Sequence, residues 1–407
     1  MHGSQLDFAE IRRAQERLAG VVKPTTLLKS QTFSRRIGAE VFLKPENLQK
    51  TGSFKIRGAF NRLASLSPHD ARRGVIAASA GNHGQAISYA ATRAGINATI
   101  VMPRTAAIAK IDATRNYGQN VVLEGKDYPE ARIAALELQR RSGAVFVDAY
   151  DDPWVIAGQG TIGLEIADEL TPDLVLVPVG GGGLIAGIAV ALAHRLPNAT
   201  MIAVEAAGSA QLSASFAAGA PVSIGSPIDT IADGLATGRI GQLPFLLFRE
   251  RVHRVVTVDD GEIGEAVLLM LERMKLLAEG AGAAAVAAAL KLGPELKGKR
   301  IVAIVSGGNI DINLLDRIIG HGLAKAGRLL RFTTKLPDRP GELQKLLALI
   351  GEAGANVRTI QHDRTRLNIP LGCACVMLEL ETRSREHISE IRERLAREGY
   401  VIATDSA

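Results

Sequence analysis

The residue with the most chemistry to offer is Lys55, in the stretch SFKIRGAF from Ser53 to Phe60. A helix N-terminus carries partial positive charge, so a lysine in a first turn is poorly placed unless something else holds it. Most lysines face water, and by itself this one reads as a solvated charge. Three other short stretches change its company. VGGGGLIAG, Val179 to Gly187, sets four glycines at the end of an apolar run and the start of a helix, where backbone N–H groups can bind a phosphate without side chains. It has no Lys-Ser/Thr pair, so it is not a Walker A loop. ASAGNHGQA, Ala78 to Ala86, pairs a permissive glycine, Gly81, with Asn82, whose amide both donates and accepts. His83 beside it reads equally as a base or as a locally bonded helix-start histidine. SGGNID, Ser306 to Asp311, supplies a hydroxyl that would cap a helix or meet a heterocycle nitrogen. A phosphate cradle, an amide and a hydroxyl suit three edges of a phosphorylated pyridine ring, and a desolvated lysine suits its aldehyde.

The elements that must position these loops follow from the pattern of the rest. From about residue 40 to 320, short apolar or β-branched runs alternate with helical ones: AEVFLK, GVIAAS, ATIVMP, NVVLEG, AVFVDA, LVLVPV, TMIAVE, RVVTV and RIVAIVS. Many are apolar throughout, as in strands buried on both faces, and several run from Gly or Ser straight into a helix, as in parallel βαβ units. Ligands of open parallel sheets collect at the carboxyl ends of strands, where the three loops lie. GHGLAKAG, Gly320 to Gly327, reads as a linker. Beyond it, LLRFTTKL, PGELQKLLALIGEAG, ANVRTIQHDR, GCACVMLELET, REHISEIRERLAREG and YVIATD give the order βαββαβ, a ferredoxin-like unit. It holds no paired nucleophile and base, so ligand sensing or assembly is expected of it.

Composition narrows the classes. With 407 residues, 47% hydrophobic and 22% charged, the chain can bury a large core in two or three domains. The formal charge of +6 is spread over short basic pairs such as Arg12-Arg13 and Arg140-Arg141, and aromatics make up only 4%, so no nucleic-acid partner is expected. Cys373 and Cys375 alternate on one strand face and cannot easily bridge, which, with no signal-peptide core at the N-terminus, suggests a reducing cytoplasm. The longest apolar tract, Ala281 to Leu290, is too short to cross a bilayer and reads as a close-packed helix.

Taken together, ENLQKTGSFKIRGA (Glu46 to Ala59), ASAGNHGQ (Ala78 to Gln85), IAGQGTIGLEI (Ile156 to Ile166), PVGGGGL (Pro178 to Leu184), IADG (Ile231 to Gly234), ERMKLLAEGAGA (Glu272 to Ala283) and SGGN (Ser306 to Asn309) resemble the pyridoxal-phosphate-dependent threonine and serine dehydratases. The resemblance spans about residues 15 to 320. It implies an α/β chain of the tryptophan-synthase-β-like fold, with two open parallel-sheet subdomains, over residues 1–320. Residues 328–407 resemble an ACT regulatory domain. By the same resemblance Lys55 is the Schiff-base lysine for pyridoxal 5'-phosphate, with Phe54 beside the ring. Gly180, Gly181, Gly182, Gly183 and Leu184 hold the phosphate, Asn82 meets the ring hydroxyl, Ser306 faces the pyridine nitrogen, and Gly234 and Glu279 lie nearby. Ser79, Ala80, Gly81, Asn82 and His83 would receive the substrate carboxylate, mainly through backbone N–H groups.

The implied reaction is conversion of L-threonine to 2-oxobutanoate and ammonia. An ACT domain implies end-product control by isoleucine or valine, a place in isoleucine biosynthesis, and a homo-oligomer, dimer or tetramer. Related serine racemases carry serine where Ala80 stands, and alanine has no proton to give. Racemisation is therefore the weaker alternative, and L-serine dehydration the nearer one. A non-catalytic amino-acid sensor is disfavoured by the intact Lys55 and cofactor loops. Racemase-like relatives bind a divalent cation with a glutamate and an aspartate six residues on; Glu205 is here followed by Gln211, and no metal site is expected.

Overall fold

The computed structural model describes residues 6–225, 228–365 and 369–403, and the chain divides into two compact units, Met1–Asp311 and Ile312–Ala407. In the first unit the strands are β1 (Leu28–Lys29), β2 (Glu40–Pro45), β3 (Val75–Ala78), β4 (Ala98–Met102), β5 (Asn120–Leu123), β6 (Val145–Phe146), β7 (Leu174–Pro178), β8 (Thr200–Ala206), β9 (Val252–Val258) and β10 (Arg300–Val305). They form two open sheets, ordered β1-β2-β10-β7-β8-β9 and β5-β4-β3-β6. Every pairing is parallel except β1 with β2, a two-residue edge strand too short to leave a pattern in the sequence.

β7 is buried at every residue and β10 at all but its first, which is why both read as continuous apolar runs. Helices cover the sheets. Those at Pro153–Glu169 and Gly183–Arg195 pack on each other through glycines, since a Cβ on Gly187 would come within 2.4 Å of the Ile156 carbonyl. The alanine-rich tract is a buried helix, Gly280–Leu292, and among the described residues no helix is long and apolar enough to cross a membrane.

One sequence expectation is corrected here. Ala144 to Ala149 reads as a strand, but β6 pairs with β3 at only two residues. After Val147, whose N–H still donates to Ile76, the backbone leaves the ladder, and side chains take over its carbonyls.

The second unit opens with a helix, Ile312–Lys325, so most of the stretch read as a linker is helical. Then come β11 (Leu329–Pro337), the helix Glu342–Glu352, β12 (Asn356–Asp363), β13 (Cys373–Glu381), the helix Arg385–Arg397 and β14 (Ile402–Ala403). The order is βαββαβ; the end of the expected last strand, Thr404 and Asp405, lies outside the described residues. The antiparallel sheet runs β12-β13-β11-β14, and Leu330, Phe332, Val376 and Leu378 on one face form its core with Leu346 and Ile391 of the helices. Cys373 and Cys375 are both free thiols.

Candidate active site

All the site residues picked out above line one cavity of about 230 Å³ in the first unit. It lies against the loops that leave β3, β7 and β10, and against the segment that leaves β6.

Lys55 opens the helix Lys55–Ala64, which has no side-chain cap. The residues before it are pinned to the loop after β10: Phe54 N donates to the Ser306 carbonyl at 3.1 Å, and Ser53 bridges Gly307. The amine donates to the Ala149 carbonyl at 3.0 Å and lies 5.0 Å from the centre of the Phe54 ring. Crowding strips water from it and pulls its pKa down to about 8, against the attraction of Asp148 and Glu279. A lysine so placed has the chemistry to act as a nucleophile or as a base.

Across the cavity, Gly182 takes φ of 93° and starts the helix Gly183–Arg195, again without a side-chain cap. The first N–H groups of that helix have no carbonyl of their own, and they meet the positive end of its dipole. Side chains cannot intrude. A Cβ on Gly181 would sit 2.2 Å from the Tyr150 ring.

Gly81 caps a third such start, the helix Asn82–Ala94, with its N–H donated to Ser79 Oγ at 3.1 Å. Asn82 is held from two sides, donating to Glu279 Oε1 at 2.6 Å and accepting from Asn309 Nδ2 at 2.7 Å. Burial keeps the Glu279 carboxyl above the usual carboxylate range despite that bond. Ser306 Oγ donates weakly, at 3.3 Å, to the Ala281 carbonyl and keeps its lone pairs. Gly234 lies on a short turn, Asp233–Leu235, close enough that a Cβ on Gly180 would meet its carbonyl at 2.7 Å.

Glu205 and Gln211 are both buried and both taken. Glu205 accepts from Leu212 N at 3.0 Å and from Thr257 Oγ1 at 3.2 Å. Gln211 Nε2 donates to the carbonyls of Gly180 and Leu235, at 3.3 and 3.0 Å.

Sequence reasoning missed several residues of this cavity. Ala149 and Tyr150 follow β6, and the rule that ligands gather at strand ends would have found them, but without a glycine run they drew no attention. The Ala149 contribution is a backbone carbonyl, which no residue type announces. Lys110 and Asp233 form an ion pair of 2.7 Å on the cavity wall from positions far apart in the chain. Behind the lining, Arg57, within the opening stretch, was also missed; it is fully buried and bound to Glu46 and Glu165 at 2.8 and 2.6 Å.

Two open parallel sheets, a lysine with a lowered pKa and an uncapped helix start on one cavity define an α/β enzyme built for an anionic carbonyl cofactor. The chain belongs to the pyridoxal-phosphate dependent enzyme family, whose sequence profile matches residues 18–307. It is 49% identical to an L-threonine ammonia-lyase of Thermotoga maritima over 98% of this chain and 99% of that protein. Among solved structures, maize serine racemase superposes with a TM-score of 0.73 at 34% identity, over 79% of this chain and 99% of that one. The processed form of threonine deaminase isoform 2 from Solanum lycopersicum superposes with a TM-score of 0.72 at 37% identity, over 77% and 88%.

Proposed function

We propose that the protein is a pyridoxal-phosphate-dependent threonine ammonia-lyase, releasing ammonia and 2-oxobutanoate from L-threonine. The observation that carries the reading is the Lys55 amine, desolvated to a pKa of about 8 and sharing its cavity with an uncapped helix start that suits a phosphate. The full-length likeness to an L-threonine ammonia-lyase supports the same substrate.

The residues fit the cofactor. N–H groups of Gly180 to Leu184 would hold its phosphate, Asn82 its ring hydroxyl and Ser306 its ring nitrogen, with Phe54, Gly234 and Glu279 around the ring. When bound, pyridoxal phosphate supplies an aldehyde for the substrate amine and a sink for the electron pair left at Cα. The uncapped start of the Asn82 helix, with Ser79 to His83, receives the substrate carboxylate. Lys55, as a neutral amine, would take the α-proton at Nζ, the hydroxyl would leave Cβ as water once it has gained a proton, and uptake of one water would then release the nitrogen as ammonia. Ala80 has no proton to return from another side, which favours elimination over racemisation. A hydroxyl at Ser306, unlike a carboxylate, does not enforce protonation of a ring nitrogen, and that too favours prompt elimination. L-Serine lacks only a methyl group, worth about 1–3 kcal/mol in a pocket, and is the expected slower substrate.

We read residues 328–407 as an ACT domain. Its support is the βαββαβ order and the uncapped helix start after Gly341, where φ is 89°. The segments Asp338 to Leu343 and Gly354 to Val357 would form the edge that binds isoleucine or valine. A cytoplasmic homo-oligomer in isoleucine biosynthesis completes the proposal.

The decisive assay measures ammonia release from L-threonine, L-serine and D-serine, each with and without isoleucine and valine. Lys55→Ala should abolish release while the far-ultraviolet circular dichroism stays unchanged. A Lys55→Ala protein that still turned over L-threonine at the wild-type rate would sink the assignment.

A further inference from the structure

The segment that leaves β6 poses a problem of unpaired backbone. Among the described residues β6 is an edge strand bonded only to β3, and beyond Val147 no strand pairs with the segment. Buried carbonyls there need donors from elsewhere. Two side chains supply them: His83 Nε2 meets the Val147 carbonyl at 3.1 Å, and Lys55 Nζ meets the Ala149 carbonyl at 3.0 Å. Between them Asp148 anchors the turn, its Oδ1 accepting from Tyr150 N at 3.1 Å and Asp151 N at 3.0 Å.

A carbonyl only accepts, so His83 must carry its proton on Nε2. Its Nδ1 is buried with no hydrogen-bond partner among the described residues. A proton there would strand a charged N–H beside Lys55, and burial with that neighbour indeed holds the imidazole pKa down to about 4. The ring is therefore neutral, in one tautomer, and 3% exposed. The charged groups facing the two side chains are Asp148, on the strand-end segment, and Glu279, on the cavity wall.

We propose that the His83 imidazole is a positioning residue for Lys55: by holding the Val147 carbonyl it fixes the backbone through Ala149, whose carbonyl holds the free lysine amine and aims its lone pair. The inference rests on the reading of Lys55 as the proton carrier. It assigns the imidazole a task separate from that of the His83 backbone N–H.

The test compares full-length, cofactor-loaded His83→Ala and His83→Gln with the wild type, using Lys55→Ala as control. Glutamine can place an N–H where Nε2 stands; alanine cannot. His83→Ala should lower kcat for L-threonine roughly 10- to 100-fold, the scale of a small misplacement of a reacting group, with KM changed far less. His83→Gln should recover most of that loss. A second readout needs no turnover: in cofactor-free protein, mass spectrometry follows reductive methylation of Lys55 against pH. The midpoint should stay near 8 in the wild type and His83→Gln, and move toward 10.5 in His83→Ala as the amine is released to water. If His83→Ala keeps the wild-type kcat and midpoint, or if folded His83→Gln is as slow as His83→Ala, the proposal is overturned. Should His83→Ala not fold, His83→Asn, whose amide is too short to reach Val147, takes its place. Activity surviving in Lys55→Ala would instead defeat the functional reading itself.

Discussion

Lys55 illustrates how little a residue type says without its surroundings. In a first helical turn the dipole opposes its charge, and in the cavity desolvation opposes it further, so the folded chain gives up that proton more readily than an unfolded one does. Between about pH 8 and 10.5 the unfolded state holds the proton and the folded state does not, so stability from this group rises with pH across that window. Below it, the buried charge is a cost. Lys55→Met should therefore raise the melting temperature of the cofactor-free protein relative to wild type near neutral pH, and the gap should shrink as pH climbs through the window. A gap that stayed constant, followed by differential scanning fluorimetry, would mean that the amine is not desolvated. A catalytic base must be neutral, so the same lowering brings Lys55 closer to use at neutral pH.

At the scale of elements, the site is built from helix starts and strand ends, and its tolerances are those of backbone packing. Gly181 lies against the Tyr150 ring, which itself follows β6. Gly181→Ala must push that loop or that ring aside, at about 1–3 kcal/mol, so cofactor binding measured by fluorescence titration should weaken roughly 10- to 100-fold. The helix that carries Lys55 is anchored by Arg57, whose guanidinium spans Glu46 from the turn after β2 and Glu165 from the helix Pro153–Glu169. Lys44 Nζ joins them, 2.7 Å from Glu165. Replacing Arg57 with methionine leaves Glu46 fully buried without its partner, and breaking such a pair costs about 3–5 kcal/mol. Urea denaturation should show that loss. Arg57→Lys should recover little, because a single ammonium cannot serve both carboxylates as the planar fork does.

For the molecule as a whole, the two units suggest a division of labour that truncation can test. A chain ending at Asp311 keeps every residue of the cavity, and it should release ammonia from L-threonine but lose any response to isoleucine or valine. Inhibition that persisted unchanged in the truncated protein would place the effector site within the first unit. Regulation requires two states with different effector affinity, and the comparison of full and truncated chains measures that difference.

Much of this was legible in the chain. Continuous apolar runs ending in glycine or serine marked buried parallel strands, because such a strand has no wet face on which to alternate. The loops after β3, β7 and β10 were visible for a related reason: a backbone packed so closely must stay small, and glycines record that need. Lys55, Asn82 and Ser306 were singled out for the functional groups a phosphorylated pyridine would present, and the fold brings all three to one cavity. What stayed hidden was contributed by position and not by type. The carbonyls of Val147 and Ala149 are left to side-chain donors because β6 stops pairing after two residues, and hydrophobic pattern does not say where a ladder ends. Asn82 meets Glu279 and Asn309 across about two hundred residues, and Arg57 meets Glu165 across about a hundred, contacts that only the folded chain brings within hydrogen-bond reach. Local sequence thus determined which groups were available and on what kind of element. Tertiary structure alone decided which of them lost their water, and with it the lowered pKa of Lys55.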